Sequence, residues 1–529
     1  MGESTKENKG NSSTVFPVTQ SNGKIIYFFS DFSETLGSGG SADVYKGYRC
    51  ELKNPKAITG PSVIDINDVI IQHNNPVAIK LYKPGYTPSP YRKSSNSYLP
   101  LEVRGRMVLI MKFVEGFHIN PAIDDNPEIK SMTFFQAVDA AWQLVIGLNP
   151  LHYRNSKGTS VVHGDIKGSN VKIKIVKEAP SDDHKPAKTK IDVEYLDDDY
   201  SKPILAIPQI VQGTPEHLAL ELLDGDYSEL SDFYALGPLL LSIFGAKNPF
   251  KTMLEFRDNH PAMGYEGLVK HYAELGYNPE GLFGHFKEVL DNSLCELLKK
   301  FLLQMVAREK ALRPSSDAIL EFFTALRQKC LFTEQGEDAS VFSLRMRIAA
   351  GEATWLEDKS QRQLFYSLDQ TVQNRLIHLL GPQKSFCFYE LCTQDKALNQ
   401  EGISNLIRVL LKQLIENKQF NNSVSQSQSF FKSPVMQKEL QWLLSCYEEK
   451  NWEAFFSKQG DVFKNTLKQA PQEIIPLITI VVEQLTKEQS HAVPRPAPLS
   501  QGSHALFMKK RPATAFSSTE RAIVVGYEN

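Results

Sequence analysis

The sequence predicts an α+β chain in three parts: a small β-rich lobe, a larger helical lobe, and an all-α C-terminal domain. Three observations carry this. From Lys24 to Lys83 the residues read as strands, "KIIYFF", "ADVYKGY" and "PVAIKLY", punctuated by Gly and Asn. From Ser131 the apolar period becomes helical, with Phe134, Phe135, Val138, Ala141, Val145 and Leu148 on one stripe. Past Cys330 every periodic segment is helical. Strands first and helices later argue for an α+β unit.

Taken in order, residues 1–23 form an extended N-terminus, of which 1–13 are polar and expected to be disordered. The β-rich lobe covers 24–116 and the helical lobe 117–330. An insertion of roughly Cys50 to Asn75 separates the second and third strands. "LEVRGRMVLIMKFV" predicts a hairpin turning at Arg104-Gly105-Arg106, and residues 177–190 a polar surface insertion between two strands. Residues 331–489 are the helical domain. Ile403, Leu406, Ile407, Leu410, Leu411 and Leu414 form one of its stripes, and Met436, Leu440, Leu443, Leu444 and Tyr447 another, joined by the flexible "NNSVSQSQS". Residues 490–529, opening near "VPRPAPLS", are a flexible tail.

Composition narrows the function classes. At 529 residues the chain is too long for one core. With 41% hydrophobic and 23% charged residues and a net charge of −2, it lacks the basic excess of a nucleic-acid binder. Its 6 cysteines include no Cys-x-x-Cys pair, which fits reduced thiols better than disulfides or a zinc site. The polar start is no signal peptide, and Lys6 stands where an N-myristoylation signal needs Ser or Thr. No apolar run is long enough to form a transmembrane segment. A cytoplasmic protein is expected.

Four motifs carry chemistry. In "LGSGGSADVYKG", Gly37, Gly39 and Ala42 match G-x-G-x-x-G with a small residue last, and Val44 follows. Such a backbone can lie close over phosphates, although alone the pattern reads more readily as a hairpin turn. Lys80 closes "VAIK" at a strand end. A lone strand lysine is usually a solvated edge charge, but after a glycine loop it is a candidate for α- and β-phosphates. "HGDIKGSN" sets a polar island between two β-branched runs. There Asp165 can accept the proton of an attacking hydroxyl, Lys167 can neutralise a transferring phosphoryl group, and Asn170 can offer oxygen to a divalent ion. Further on, "VEYLDDDYS" ends a strand in acids. Strand register favours Asp197 as a second metal-binding acid, with Asp198 as the fallback, where an ordinary acidic turn is the plainer reading.

In order, Gly37–Val44, Lys80, His163–Asn170, Asp197, "GTPEHLALE" (Gly213–Glu221), "SDFYALG" (Ser231–Gly237) and "LRPSS" (Leu312–Ser316) resemble the eukaryotic-type protein kinases, across about residues 24–329. Lys167, two residues past Asp165, is similar to the serine/threonine branch. The resemblance implies a bilobal protein-kinase-like fold, a small β-rich N-lobe and a helical C-lobe, acting on a protein substrate with ATP and Mg²⁺, or Mn²⁺ in its place. Asp165 would be the catalytic base, Lys167 the γ-phosphate stabiliser, Asn170 and Asp197 the metal ligands, and Lys80 the α/β-phosphate contact. Gly37, Gly39, Val44 and Ala78 would line the nucleotide. "MKFVEG" matches the hinge, with Met111 as gatekeeper and the backbones of Lys112 and Val114 facing adenine. Thr214 matches a brace of the catalytic loop, Glu221 and Arg313 a buried ion pair, and Asp232 the helix acid under that loop.

The chain also departs from the pattern. Gly164 stands where an arginine usually precedes the catalytic Asp, and Asp198 and Asp199 replace the Phe and Gly of D-F-G. The segment 81–103 holds prolines at 84, 88, 90 and 100 and one acid, Glu102, expected on a strand. It leaves room only for a short helix near Tyr91 to Ser97 without a carboxylate. Lys80 is therefore expected to be held by Asp197 and nucleotide phosphates, or by an acid from outside this segment. A pseudokinase-type scaffold is the alternative, against which the four residues Lys80, Asp165, Asn170 and Asp197 argue. A small-molecule kinase shares an "HGD…N" loop but would lack Lys167, "GTPEHLALE" and "LRPSS". The helical C-terminal domain is expected to bind substrate or a protein partner. Compact kinases with such domains resemble effectors that intracellular bacterial pathogens deliver into host cells, with the tail as a secretion signal.

Overall fold

Period-two patterning builds the first lobe. β1 (Thr14–Thr19), β2 (Ile25–Ser30), β3 (Thr35–Ser38), β4 (Ala42–Leu52), β5 (Val69–Tyr82), β6 (Leu101–Val103) and β7 (Arg106–Lys112) make one antiparallel sheet. Its order is β1-β2-β4-β5-β7-β6, with β3 paired to β4. The computed structural model describes residues 14–395 except 21, 55–63, 91–99, 104, 125, 154–159, 178–188 and 205–212, and Val409 besides. The sheet starts ten residues before the expected Lys24, at Thr14. β1 escapes a sequence reading because Pro17 interrupts it. On an edge strand an exposed proline costs no ladder hydrogen bond, while Val15, Phe16 and Val18 are buried.

The expected insertion between the second and third strands is strand at both of its ends, among the described residues. β4 continues to Leu52 and β5 begins at Val69, pairing as far as Leu52↔Val69. The register shifts between Tyr48↔Pro76 and Arg49↔Gln72, so exposed His73, Asn74 and Asn75 bulge outward. Polar bulge residues hid the strand's alternation. Beyond the bulge the pairing sets function. Val44↔Lys80, Ala42↔Tyr82, Ala78↔Met111 and Lys80↔Leu109 are cross-strand partners, so these side chains share one face. The opposite face carries Ile79, Val77, Val108 and Ile110, packed on Phe16, Val18, Ile26 and Phe28. The expected hairpin at Gly105 joins β6 to β7, with Gly105 at φ 72°.

The second lobe is helical. α1 (Pro127–Lys130) and α2 (Phe134–Gly147) start from the side-chain caps Asn126 and Thr133, the latter in a capping box with Gln136. α3 (Asn149–His152) leads into β8 (Val161–Val162), which pairs with β11 (Lys202–Pro203). Between them the antiparallel pair β9 (Val171–Lys177) and β10 (Thr189–Tyr195) flanks the polar insertion, whose residues 178–188 lie outside the described ones. α4 (Glu229–Ile243) is buried on every side from Ser231 to Ile243, as a central helix must be. α5 (Lys251–Asn259), α6 (Tyr265–Leu275), α7 (Asn292–Met305) and α8 (Ser316–Glu334) pack about it.

The chain past 330 is continuous with this core. α8 runs through position 330, and Phe342, Met346, Ala349 and Ala350 of and just after α9 (Ser340–Ala349) belong to the same apolar cluster. Arg345 Nε lies 2.6 Å from Glu321 Oε1 of α8, both buried. α10 (Lys359–Tyr366) and α11 (Gln370–Asp395), the latter kinked at Gly381, follow. The stripes at 403–414 and 436–447, the loop 421–429, the tail 490–529, residues 1–13 and the short helix near Tyr91 to Ser97 all lie outside the described residues. Among the described residues no helix is long and apolar enough to cross a membrane.

Candidate active site

The polar island is held by the backbone around it. Asp232 of α4 reaches under the loop and accepts from the His163 N–H at 2.7 Å and the Gly164 N–H at 3.0 Å. His152 Nε2 lies 2.9 Å from the same carboxylate. Burial works against ionising Asp232, but the His152 contact and these donors hold its carboxyl below the usual range. Gly168 sits so close to the Ile119 carbonyl oxygen that an added Cβ would overlap it, 1.7 Å away. Only glycine fits that position.

Three predicted residues converge. Lys167 Nζ is 2.6 Å from Asp165 Oδ2. Asn170 Nδ2 donates to the Asp165 carbonyl at 2.8 Å and to Oδ2 at 3.0 Å, which leaves its own oxygen as an acceptor. Asp165 is buried, and burial raises its pKa above the usual carboxylate range, against the pull of Lys167 and with a further push from the Asp197 charge.

The sheet face supplies the opposing group. Lys80, 5% exposed, extends from β5 to Asp197 Oδ2 at 2.7 Å and Asp199 Oδ2 at 2.7 Å. Burial favours a neutral amine there, but the two carboxylates outweigh it and raise the Lys80 pKa. At Asp197 burial is likewise opposed by Lys80, which wins and lowers the carboxyl's pKa. At Asp199 burial wins and raises it. The expected Lys80–Asp197 contact is present. Asp199, named from the sequence only as a departure from D-F-G, is the second acid, and Tyr82, which the sequence reading does not name, donates its hydroxyl to both Asp199 oxygens at 2.8 and 2.7 Å. Two signals were available: Tyr82 is two residues past Lys80 on one strand face, and Asp199 is two past Asp197.

Val44, Ala78, Lys80 and Met111 share the face that looks toward this cluster. Gly37 lies in exposed β3, and the turn after it is closed by Gly39 N–H donating to Ala42 at 2.9 Å and Lys83 Nζ to Gly39 at 2.6 Å. The predicted hinge follows β7. Lys112 Nζ pairs with Glu194 at 3.0 Å, Val114 is half-buried, and Gly116, at φ 119°, passes 2.4 Å (from an added Cβ) over the Ile173 carbonyl.

The expected scaffold pairs are formed too, with one exception. Arg313 holds Glu221 through two bonds of 2.6 and 2.9 Å. Thr214 lines the same cleft as Gly164 and Asp165, but its side chain makes no hydrogen bond to the loop among the described residues. Glu102 is an exposed β6 residue, as expected.

Asn170 and Asp197 present hard oxygen donors, which suits Mg²⁺. Among the described residues no group of three or more His, Cys, Asp or Glu could hold a metal alone.

Residues 96–323 match the family model of the protein kinase domain. The match takes in Asp165, Asn170, Asp197, Glu221 and Arg313 and begins downstream of Lys80. The probable serine/threonine-protein kinase WNK10 of Arabidopsis thaliana is 28% identical over 173 residues, 33% of this chain and 28% of the relative. The alignment therefore spans just over a quarter of that relative's length.

Proposed function

We propose that this protein kinase domain transfers the γ-phosphoryl group of ATP to serine and threonine hydroxyls of protein substrates. The convergence of Lys167 and Asn170 on Asp165, facing the Lys80–Asp197 pair, carries the reading. The Asp165 carboxylate takes the proton of the substrate hydroxyl as its oxygen attacks the γ-phosphorus. The bond from that phosphorus to the β–γ bridging oxygen breaks, and ADP leaves. Lys167 offsets charge on the moving phosphoryl group, and Lys80 holds the α- and β-phosphates. Asn170 and Asp197 would hold Mg²⁺, which when bound neutralises phosphate charge. Serine and threonine preference is supported by Lys167 and by the description of the Arabidopsis relative. The helices past 330 are proposed to bind substrate or a protein partner.

Incubating the full chain with γ-labelled ATP, Mg²⁺ and a generic basic protein tests this. Wild type should label the protein, and Asp165→Ala should do so about 10²–10⁴-fold more slowly while still binding ATP. Equal rates for both proteins overturn the assignment. A wild type that binds ATP and labels nothing favours the scaffold reading.

A further inference from the structure

In the family this chain resembles, a glutamate on a mobile helix holds the strand lysine, and here the segment between Lys80 and β7 offers only Glu102. Glu102 is exposed on β6. Yet Lys80 is among the most enclosed charges in the sheet lobe and sits between two carboxylates at equal distance. The two acids are not equivalent. The Asp197 side chain is 28% exposed, whereas that of Asp199 is 8% exposed. Their partners differ as well: the Tyr82 hydroxyl binds both Asp199 oxygens, whereas Asp197 Oδ1 accepts from the Asp199 N–H at 3.1 Å. Tyr82 is itself fully buried, and its carbonyl accepts from Arg106 Nε at 2.9 Å.

We infer that Asp199, aimed by Tyr82, is the standing anchor of Lys80 and frees Asp197 for the divalent cation. The inference rests on the kinase reading and names a positioning pair for it. One ammonium between two carboxylates leaves the trio with excess negative charge, and Asp197, the more exposed of the two acids, is the one a cation can reach. Without Asp199, Lys80 would be neutralised by Asp197 alone and would compete with the metal for it. Anchor and metal ligand also lie on one three-residue segment. The lysine is therefore set whenever that segment is in place, and no separate helix has to swing in.

The test is a double-mutant cycle on the full-length chain, using ATP, Mg²⁺ and a basic protein substrate. Asp199→Asn keeps the shape and an acceptor for Tyr82 but removes the charge. It should lower kcat/KM for ATP by about 10–100-fold, the scale of one buried charged contact. It should also raise the Mg²⁺ concentration giving half-maximal rate. In a Lys80→Met background the same change should cost less than about twofold, because its effect runs through the lysine. Tyr82→Phe, a gentler change, should lower the rate by a few-fold and show the same dependence on Lys80, which keeps the test open if Asp199→Asn unfolds. Equal losses with and without Lys80, or no loss from either variant, overturn the proposal while leaving the kinase reading intact. A wild type that transfers no phosphate overturns both.

Discussion

Gly164 stands against the Tyr200 carbonyl: its backbone is left-handed, at φ 79°, and an added Cβ would lie 2.8 Å from that oxygen. The resemblance puts an arginine here that would grip an activation-segment phosphate. The structure explains its absence, since any side chain meets backbone. Gly164→Arg should therefore lower Tm, with about 1–2 kcal/mol from the left-handed backbone alone, and should not speed catalysis. Between Asp197 and Glu221 the hydroxyls are Tyr200, Ser201 and Thr214, and Ser201 is only 2% exposed. Phosphatase-treated enzyme should keep its activity; a large loss would show that a phosphate is needed after all.

Metal dependence separates the three consecutive acids. Asn170→Ala and Asp197→Ala should each raise the Mg²⁺ requirement about 10–100-fold, as expected for losing one charge-assisted contact. Asp198→Ala should change it far less. A magnesium titration dominated by Asp198 would move the site one residue along.

Acid should weaken the fold through His217. Its Nδ1 lies 3.0 Å from the Ala235 carbonyl and its ring packs edge-on to Phe250. Complete burial lowers its pKa from 6.5 to about 4. The folded chain thus keeps this ring neutral while the unfolded chain protonates it below pH 6.5. The sign follows: stability is full above about 6.5 and falls as pH drops toward 4, by up to about 3 kcal/mol. His217→Gln should flatten the pH slope of urea unfolding by about one proton across that window. An unchanged slope would refute a neutral buried His217.

Arg313 is a structural cation. Its side chain is 1% exposed, holds Glu221 bidentately, donates to the Ala307 and Arg308 carbonyls, and lies 4.5 Å over the Tyr234 ring. Arg313→Met leaves the largely buried Glu221 carboxylate, 11% exposed, with only the Ser231 hydroxyl, and should cost about 2–4 kcal/mol. Chemical denaturation of the two proteins measures it; a difference below about 1 kcal/mol would mean that solvent reaches Glu221.

Most of the site was legible because its parts are short-range. Asp165, Lys167 and Asn170 lie within six residues, and such spacing survives without knowledge of the fold. Lys80 was legible at a strand end, and its partner Asp197 by strand register. What was missed is longer-range or interrupted. β1 was hidden by Pro17, the start of β5 by a bulge of polar residues, and the Tyr82–Asp199 contact by 117 intervening residues. Thr214 lines the loop's cleft without a side-chain hydrogen bond to it among the described residues, because a motif position says nothing about where a hydroxyl points.

The amino-acid sequence alone determined the order of elements from strands to helices, the polar loop and its three converging residue types, and the lack of a helix acid for Lys80. These are properties of spacing and period, which neighbouring residues impose on one another. Only the tertiary structure decided which acids meet Lys80. Asp199 meets Lys80 and Tyr82 because β5 places both side chains on one sheet face and the β10 end delivers the acid to it. A buried ammonium needs a carboxylate within hydrogen-bond reach, and which one arrives is set by packing between lobes rather than by any local pattern.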